Sequence, residues 1–244
     1  MRIAQTEMLS FFELGIERKE KKWYIGRRRK NREENDMELI LIRHGETAWN
    51  PEGRFQGSTD MELSEIGKEQ ARLVGERLKN RKIDRIIASP MKRAQDTAAA
   101  VAGHHGLTVE TEERLREVDF GEWEGKNGEE LREESDLHID YYFKDRDFYG
   151  FPGEGSLANA RYRVGSFLDE LKWKYWETDE TIVLVGHGAI FRMAIFHLLD
   201  IGNIYYSRMV PENTGITRFK ISKQKGLQMI CYNDTAHLEK MTEK

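Results

Sequence analysis

Three short aliphatic runs constrain this chain more than any other feature. MELILI (37–42), IDRIIA (83–88) and TIVLV (181–185) lack the polar alternation of a half-exposed strand, so each predicts a strand covered on both faces. Helical patterns separate them. Ser64 to Asn80 spaces Ile66, Leu73, Val74 and Leu78 for one helix face, with Ser64 as N-cap. Ser89-Pro90 reads as an N-cap followed by proline in the first helical position, and MKRAQDTAAAVAG continues that helix. A long helix is expected from Ser156 to about Tyr175, and another over AIFRMAIFHLL. LTVET (107–111) predicts a further strand, and ITRFKI (216–221) with LQMICY (227–232) a closing hairpin or edge pair. Strands alternating with helices imply a three-layer α/β/α fold around a mostly parallel central sheet.

A chain of 244 residues with 39% hydrophobic content can fill one such core. That core is expected over 37–244. Residues 1–36 read as a separate charged extension, with ten Lys/Arg against seven Asp/Glu, and as a solvated or disordered arm. A net charge of -4 creates no field that would call for nucleic acid. The single cysteine, Cys231, forbids an internal disulfide and suits a reducing compartment. No apolar run is long enough for a membrane span, and the N-terminus lacks the basic-then-apolar order of a secretory leader. The expectation is a cytoplasmic protein with no membrane partner, compatible with a homodimer.

The strand ends carry the chemistry. The first aliphatic run ends in Arg43-His44-Gly45-Glu46, the second in Ser89 with Arg93 one turn into the next helix, and the third in Gly186-His187-Gly188. In open α/β sheets, sites form beyond the carboxyl ends of the strands. If these three strands are neighbours, two guanidinium groups and two imidazoles converge. Such a cluster suits a dense anion, with phosphate the natural guest, and helix N-termini would add N–H donors. A metal fits poorly, because arginines beside the imidazoles repel a cation and no carboxylates stand at ligand spacing. No metal or cofactor is therefore expected. The histidines at 104, 105, 138, 197 and 237 are read as structural.

With these residues in view, LIRHGETAWN (41–50) resembles the signature of the histidine phosphatase superfamily, in its phosphoglycerate mutase-like branch. RFQGSTDMELSEIGKEQA (54–71), ASPMKRAQDTA (88–98), LREVDFGEWEG (115–125), VLVGHGAIFR (183–192) and NTGITRF (213–219) continue the resemblance in order. It implies His44 as nucleophile, Arg43 and Arg93 as phosphate-binding arginines, a protonated His187 contacting the phosphate, and Glu117 as proton donor. Asn50, Gln56 and Gly57 fall where the family's loop approaches the substrate, and Gly188 beside the second histidine. Gly155 separates Glu154 from Ser156, a departure from the Gly-Glu-Ser order of many relatives. The implied activity is hydrolysis of a small phosphomonoester through a phosphohistidine, without metal. A bisphosphoglycerate-dependent mutase is the alternative, and a non-catalytic phosphate-binding module a remote one. GEWEG resembles the broad-specificity and ribazole-phosphate phosphatases more than the mutases. The segment HIDYYFKDRDFYGF (138–151) is short and aromatic. Tyr141, Tyr142, Phe143, Phe148, Tyr149 and Phe151 are expected either to wall a pocket for a partly apolar leaving group or to pack a cap onto the core.

Overall fold

The strand β1 (Met37–Arg43) is buried along nearly its whole length, and the alternation of its side chains explains why. Met37, Leu39 and Leu41 face one apolar cluster, while Ile40 and Ile42 face another. A strand that feeds two cores has no face to leave polar. In this computed structural model, residues 36–134, 139 and 152–242 are described. The charged extension up to residue 35 and the aromatic residues Tyr141, Tyr142, Phe143, Phe148, Tyr149 and Phe151 lie outside them.

Six strands form one sheet. After β1 come β2 (Arg85–Ala88), β3 (Val109–Thr111), β4 (Thr181–Gly186), β5 (Ile216–Ser222) and β6 (Gly226–Asp234), in the spatial order β3-β2-β4-β1-β5-β6. The pairs β3–β2, β2–β4 and β4–β1 are parallel. The pairs β1–β5 and β5–β6 are antiparallel, so the expected closing hairpin forms one edge of the sheet. Helices α1 (Glu65–Leu78) and α2 (Lys92–Ala102) supply Val74, Leu78, Ala94, Ala98 and Val101 to one core. The short α3 (Gly128–Glu133) and the long α4 (Leu157–Tyr175) precede β4. Helix α5 (Gly188–Leu199) follows it and, with α4, fills the opposite core. A four-residue helix, α6 (Glu239–Thr242), lies near the C-terminus.

Two local expectations are corrected. The Ser89 hydroxyl does not cap α2. Met91 is the N-cap residue, without a side-chain bond, and the carboxylate of Asp60 accepts from Lys92 N (2.8 Å). The reason is tertiary, because the buried Ser89 hydroxyl contacts His187 instead. Ile66 is half exposed, and α1 turns Gly67, Ala71, Val74, Gly75 and Leu78 inward. The glycines let α1 lie close. A Cβ on Gly45 would collide with the Gly67 carbonyl, and one on Gly67 with the Glu46 carbonyl. Ser64 does cap α1, accepting from Gly67 N (3.0 Å), and Ser156 caps α4, accepting from Asn159 N (3.2 Å).

Candidate active site

Sheet order decides which side chains meet. Arg43 pairs in register with Gly186, and Ala88 with Val185, so β1, β4 and β2 end side by side. The ladder continues one residue further. His44 N donates to Gly186 O, and Ser89 N to Val185 O, both at 2.9 Å. His44, His187 and Ser89 are thereby adjacent, with the two imidazole centroids 5.1 Å apart.

The tautomer of His44 follows from its partner. Its Nδ1 stands 2.7 Å from the Gly45 carbonyl, which can only accept, so Nδ1 carries the proton and Nε2 keeps its lone pair. Burial pushes this imidazole well below the ordinary histidine range, and the charges of Arg93 and Arg43 push it further. The ring is held neutral. The turn around it is fixed from several sides. Gly45 N donates to Thr97 Oγ1 (3.0 Å), Thr214 N to Arg43 O (2.9 Å) and Asn213 Nδ2 to His44 O (2.9 Å).

Arg93 is fully buried. Its two terminal nitrogens donate to Thr59 O (2.8 Å) and Gly57 O (2.9 Å), and its Nε to His187 Nδ1 (3.2 Å). That last bond corrects the expectation of a protonated His187. An arginine Nε only donates, so Nδ1 is bare, and Nε2 donates to Ser89 Oγ (2.8 Å). Burial, then the charges of Arg93, His44 and Arg43, hold His187 well below its usual range. It stands behind Arg93 and does not line the cleft.

The cleft itself measures about 340 Å³. Arg43, His44, Asn50, Gln56, Gly57, Arg93, Glu117 and Gly188 line it, so the expected residues meet there with His187 beneath. Glu117 takes the N-terminus of α5, accepting from Ile190 N (2.9 Å) and Ala189 N (3.1 Å) as well as Val118 N (2.9 Å). The N–H donors expected for an anion are therefore directed at this carboxylate. Asn50 accepts from Thr47 N (2.9 Å) and Asn213 Nδ2 (3.4 Å), which ties the loop to the closing strand. Gln56 is buried, and its Oε1 has no partner among the described residues. Glu154 lies away from the cleft and holds Arg163 with bonds of 2.7 and 2.8 Å, a structural pair.

Sequence reasoning missed Glu124, the second glutamate of GEWEG. Its carboxylate accepts from Ser58 N (2.7 Å), Ser58 Oγ (3.0 Å), Thr59 N (2.9 Å), Thr59 Oγ1 (2.5 Å) and Phe120 N (3.2 Å). Burial opposes its charge, yet these donors hold it below the usual carboxylate range. It thus clamps the loop whose carbonyls receive Arg93. Gly57 has φ +52°, and a Cβ there would strike the Glu124 carboxylate. The signal was an acid seven residues after Glu117, but nothing local said which loop it would reach.

A neutral imidazole with a free Nε2, two guanidinium groups and a carboxylate around one cleft at the carboxyl ends of parallel strands define a phosphate-handling α/β enzyme. The family model for the histidine phosphatase superfamily (branch 1) matches residues 39–235, and the chain belongs to that family. It is 33% identical over 202 residues to phosphoserine phosphatase 1 of Hydrogenobacter thermophilus, covering 83% of this chain and 94% of that protein. It is 30% identical over 207 residues to a probable phosphoglycerate mutase GpmB of Yersinia pestis, covering 83% and 95%. Among solved structures, a phosphoserine phosphatase of Entamoeba histolytica in complex with 3-phosphoglyceric acid superposes with a TM-score of 0.75 at 36% identity, covering 83% of this chain and 99% of that one. The chain is a phosphomonoesterase of the metal-independent histidine phosphatase type.

Proposed function

We propose that His44 is the nucleophile and that the reaction passes through a phosphohistidine. The supporting observation is the His44 tautomer, since Nδ1–H on the Gly45 carbonyl leaves Nε2 as the attacking atom. Attack forms the Nε2–P bond and breaks the bond from phosphorus to the leaving oxygen. Arg43 and Arg93 balance the charge gathering on the phosphoryl oxygens. Arg93 is already aligned by Gly57 O and Thr59 O, so it needs little reorganisation. Glu117 gives a proton to the leaving alkoxide, then takes one from the water that cleaves the Nε2–P bond. His187 stays neutral and aligns Arg93 through its bare Nδ1.

The substrate is a small metabolite phosphate, as it is for the phosphoserine phosphatase relatives. We place the enzyme in the cytoplasm, where a single unpaired cysteine is at home. The mutase reading, supported by the GpmB relative, requires transfer of the phosphoryl group back to a substrate hydroxyl instead of to water.

Turnover of p-nitrophenyl phosphate in excess EDTA tests the proposal. The wild-type enzyme should keep full rate, and His44→Ala should lose at least about 10³-fold in kcat. An unchanged His44→Ala rate would refute the nucleophile. Isomerisation of 3-phosphoglycerate with a bisphosphoglycerate primer, exceeding hydrolysis, would favour the mutase.

A further inference from the structure

The proton on His44 Nδ1 depends on one carbonyl, and that carbonyl belongs to a peptide unit with a second polar end. Gly45 O lies 2.7 Å from Nδ1. The N–H of the same unit is that of Glu46, and it donates to Gln70 Oε1 at 2.8 Å. Thr97 and Asn213 hold the preceding unit instead, through Gly45 N and His44 O. The plane that faces the ring is therefore fixed at its N–H by Gln70, a residue 24 positions further along the chain.

Helix α1 delivers the amide to this point. Gln70 follows Gly67 by three residues, so the two share the face that meets the His44 turn. The start of the helix is tied to the same turn. Ser64 N donates to Glu46 O (2.9 Å), and Ser64 Oγ to Glu46 Oε1 (3.1 Å). Glu46 is thus pinned against α1, and the partly buried Gln70 has a fixed target. A peptide unit transmits polarisation. An acceptor on its N–H draws electron density onto its carbonyl oxygen, which then accepts more strongly from the group opposite. Here the row runs from Gln70 Oε1 through the Glu46 N–H and the Gly45 carbonyl to His44 Nδ1. It ends at Nε2, the ring atom that keeps its lone pair.

Taking His44 as the nucleophile, we propose that Gln70 is its positioning residue, holding the Gly45 carbonyl on Nδ1 through the shared peptide and so keeping the proton off Nε2. A ring protonated on Nε2 has no lone pair there to attack phosphorus. Gln70 does not line the cleft, so it acts only through the turn. The charges facing the ring come from Arg93 on α2 and Arg43 on β1, with the His187 imidazole beside it. Gln70 bonds to none of these, so its substitution leaves them in place.

Three forms of the full chain test this: wild type, Gln70→Met, which keeps the length but has no oxygen, and Gln70→Glu, which keeps an acceptor. With p-nitrophenyl phosphate, Gln70→Met should lose about 10-fold in kcat/KM, and Gln70→Glu should recover most of it. Inhibition by inorganic phosphate, which reads the two arginines, should stay within about 2-fold. ¹⁵N spectra of the His44 ring in the resting enzyme give the second readout. Wild type should show the ring protonated on Nδ1 alone. Gln70→Met should show a share of the Nε2–H form, and Gln70→Glu the wild-type pattern. Undiminished kcat/KM in a folded Gln70→Met enzyme would overturn the proposal, and so would a loss of rate with the ring still wholly protonated on Nδ1. The spectra need no substrate. If His44→Ala kept full turnover, the nucleophile reading would fall, while the ring would still show whether Gln70 sets the tautomer. Thermal melts identify a variant that misfolds. Gln70→Asn, whose amide is one methylene too short for Glu46 N, then replaces Gln70→Met with the same expectations.

Discussion

His44 and His187 stand 5.1 Å apart and are both kept neutral, first by burial and then by the arginines around them. Each has a folded-state value below the unfolded one, so the stability gained from the neutral ring is present above about pH 6.5 and is lost as pH falls below it. The same logic reaches a third ring. Burial pushes His237 to about 4, and its Nε2 contacts Thr214 Oγ1 at 3.0 Å, beside the Thr214 N–H that holds the Arg43 carbonyl. His237→Gln should therefore flatten the loss of Tm between pH 6.5 and about 4 relative to wild type. Calorimetric scans across that window check this, and parallel curves for the two proteins would show that His237 takes up no extra proton on unfolding. For catalysis, the acid limb of kcat/KM assigned to His44 should lie below pH 6.5, because the free ring is already unprotonated there.

At the scale of elements, the loop 57–59 is the part whose geometry most directly sets Arg93. Glu124→Gln replaces one acceptor oxygen with a donor amide facing the Ser58 and Thr59 donors. The unmade bonds should cost about 1–3 kcal/mol of stability. Arg93 would lose its fixed carbonyls, so vanadate inhibition should weaken along with kcat/KM. Unchanged vanadate affinity in a folded Glu124→Gln enzyme would show that the loop aligns itself. Ser64→Ala should cost about 1 kcal/mol through loss of the α1 cap, measurable by denaturant titration, without a large change in KM. What the sequence disclosed at this scale divides along physical lines. Ser64 was legible as a cap because a cap is a contact across three residues. Ser89 was not, because its hydroxyl is claimed by a histidine 98 positions away. Ile66 fitted the helical spacing yet faces solvent, since two glycines, not aliphatic residues, make the close approach of α1 to the His44 turn.

For the whole molecule, the order β2-β4-β1 does the central work, bringing three strand ends from distant parts of the chain to one cleft. The strands were legible because a doubly covered sheet writes continuous aliphatic runs, and their polar ends marked Arg43, His44, Arg93 and His187. Glu117, Asn50, Gln56 and Gly57 rested on the family signature, because nothing in their own neighbourhoods announces the cleft they line. Glu124 escaped both routes. The proton state of His187 was misread because its partner is Arg93 Nε, a contact that sheet order creates and no local pattern records. Truncating Ile42, buried between the sheet and α1/α2, should cost about 2–5 kcal/mol as Ile42→Ala. A single turnover with ³²P-labelled substrate, quenched in alkali where phosphohistidine survives, tests the central claim most directly. Label should appear on the peptide carrying His44, bonded through Nε2, and none in His44→Ala. Label on another residue, or full turnover by His44→Ala, would contradict it.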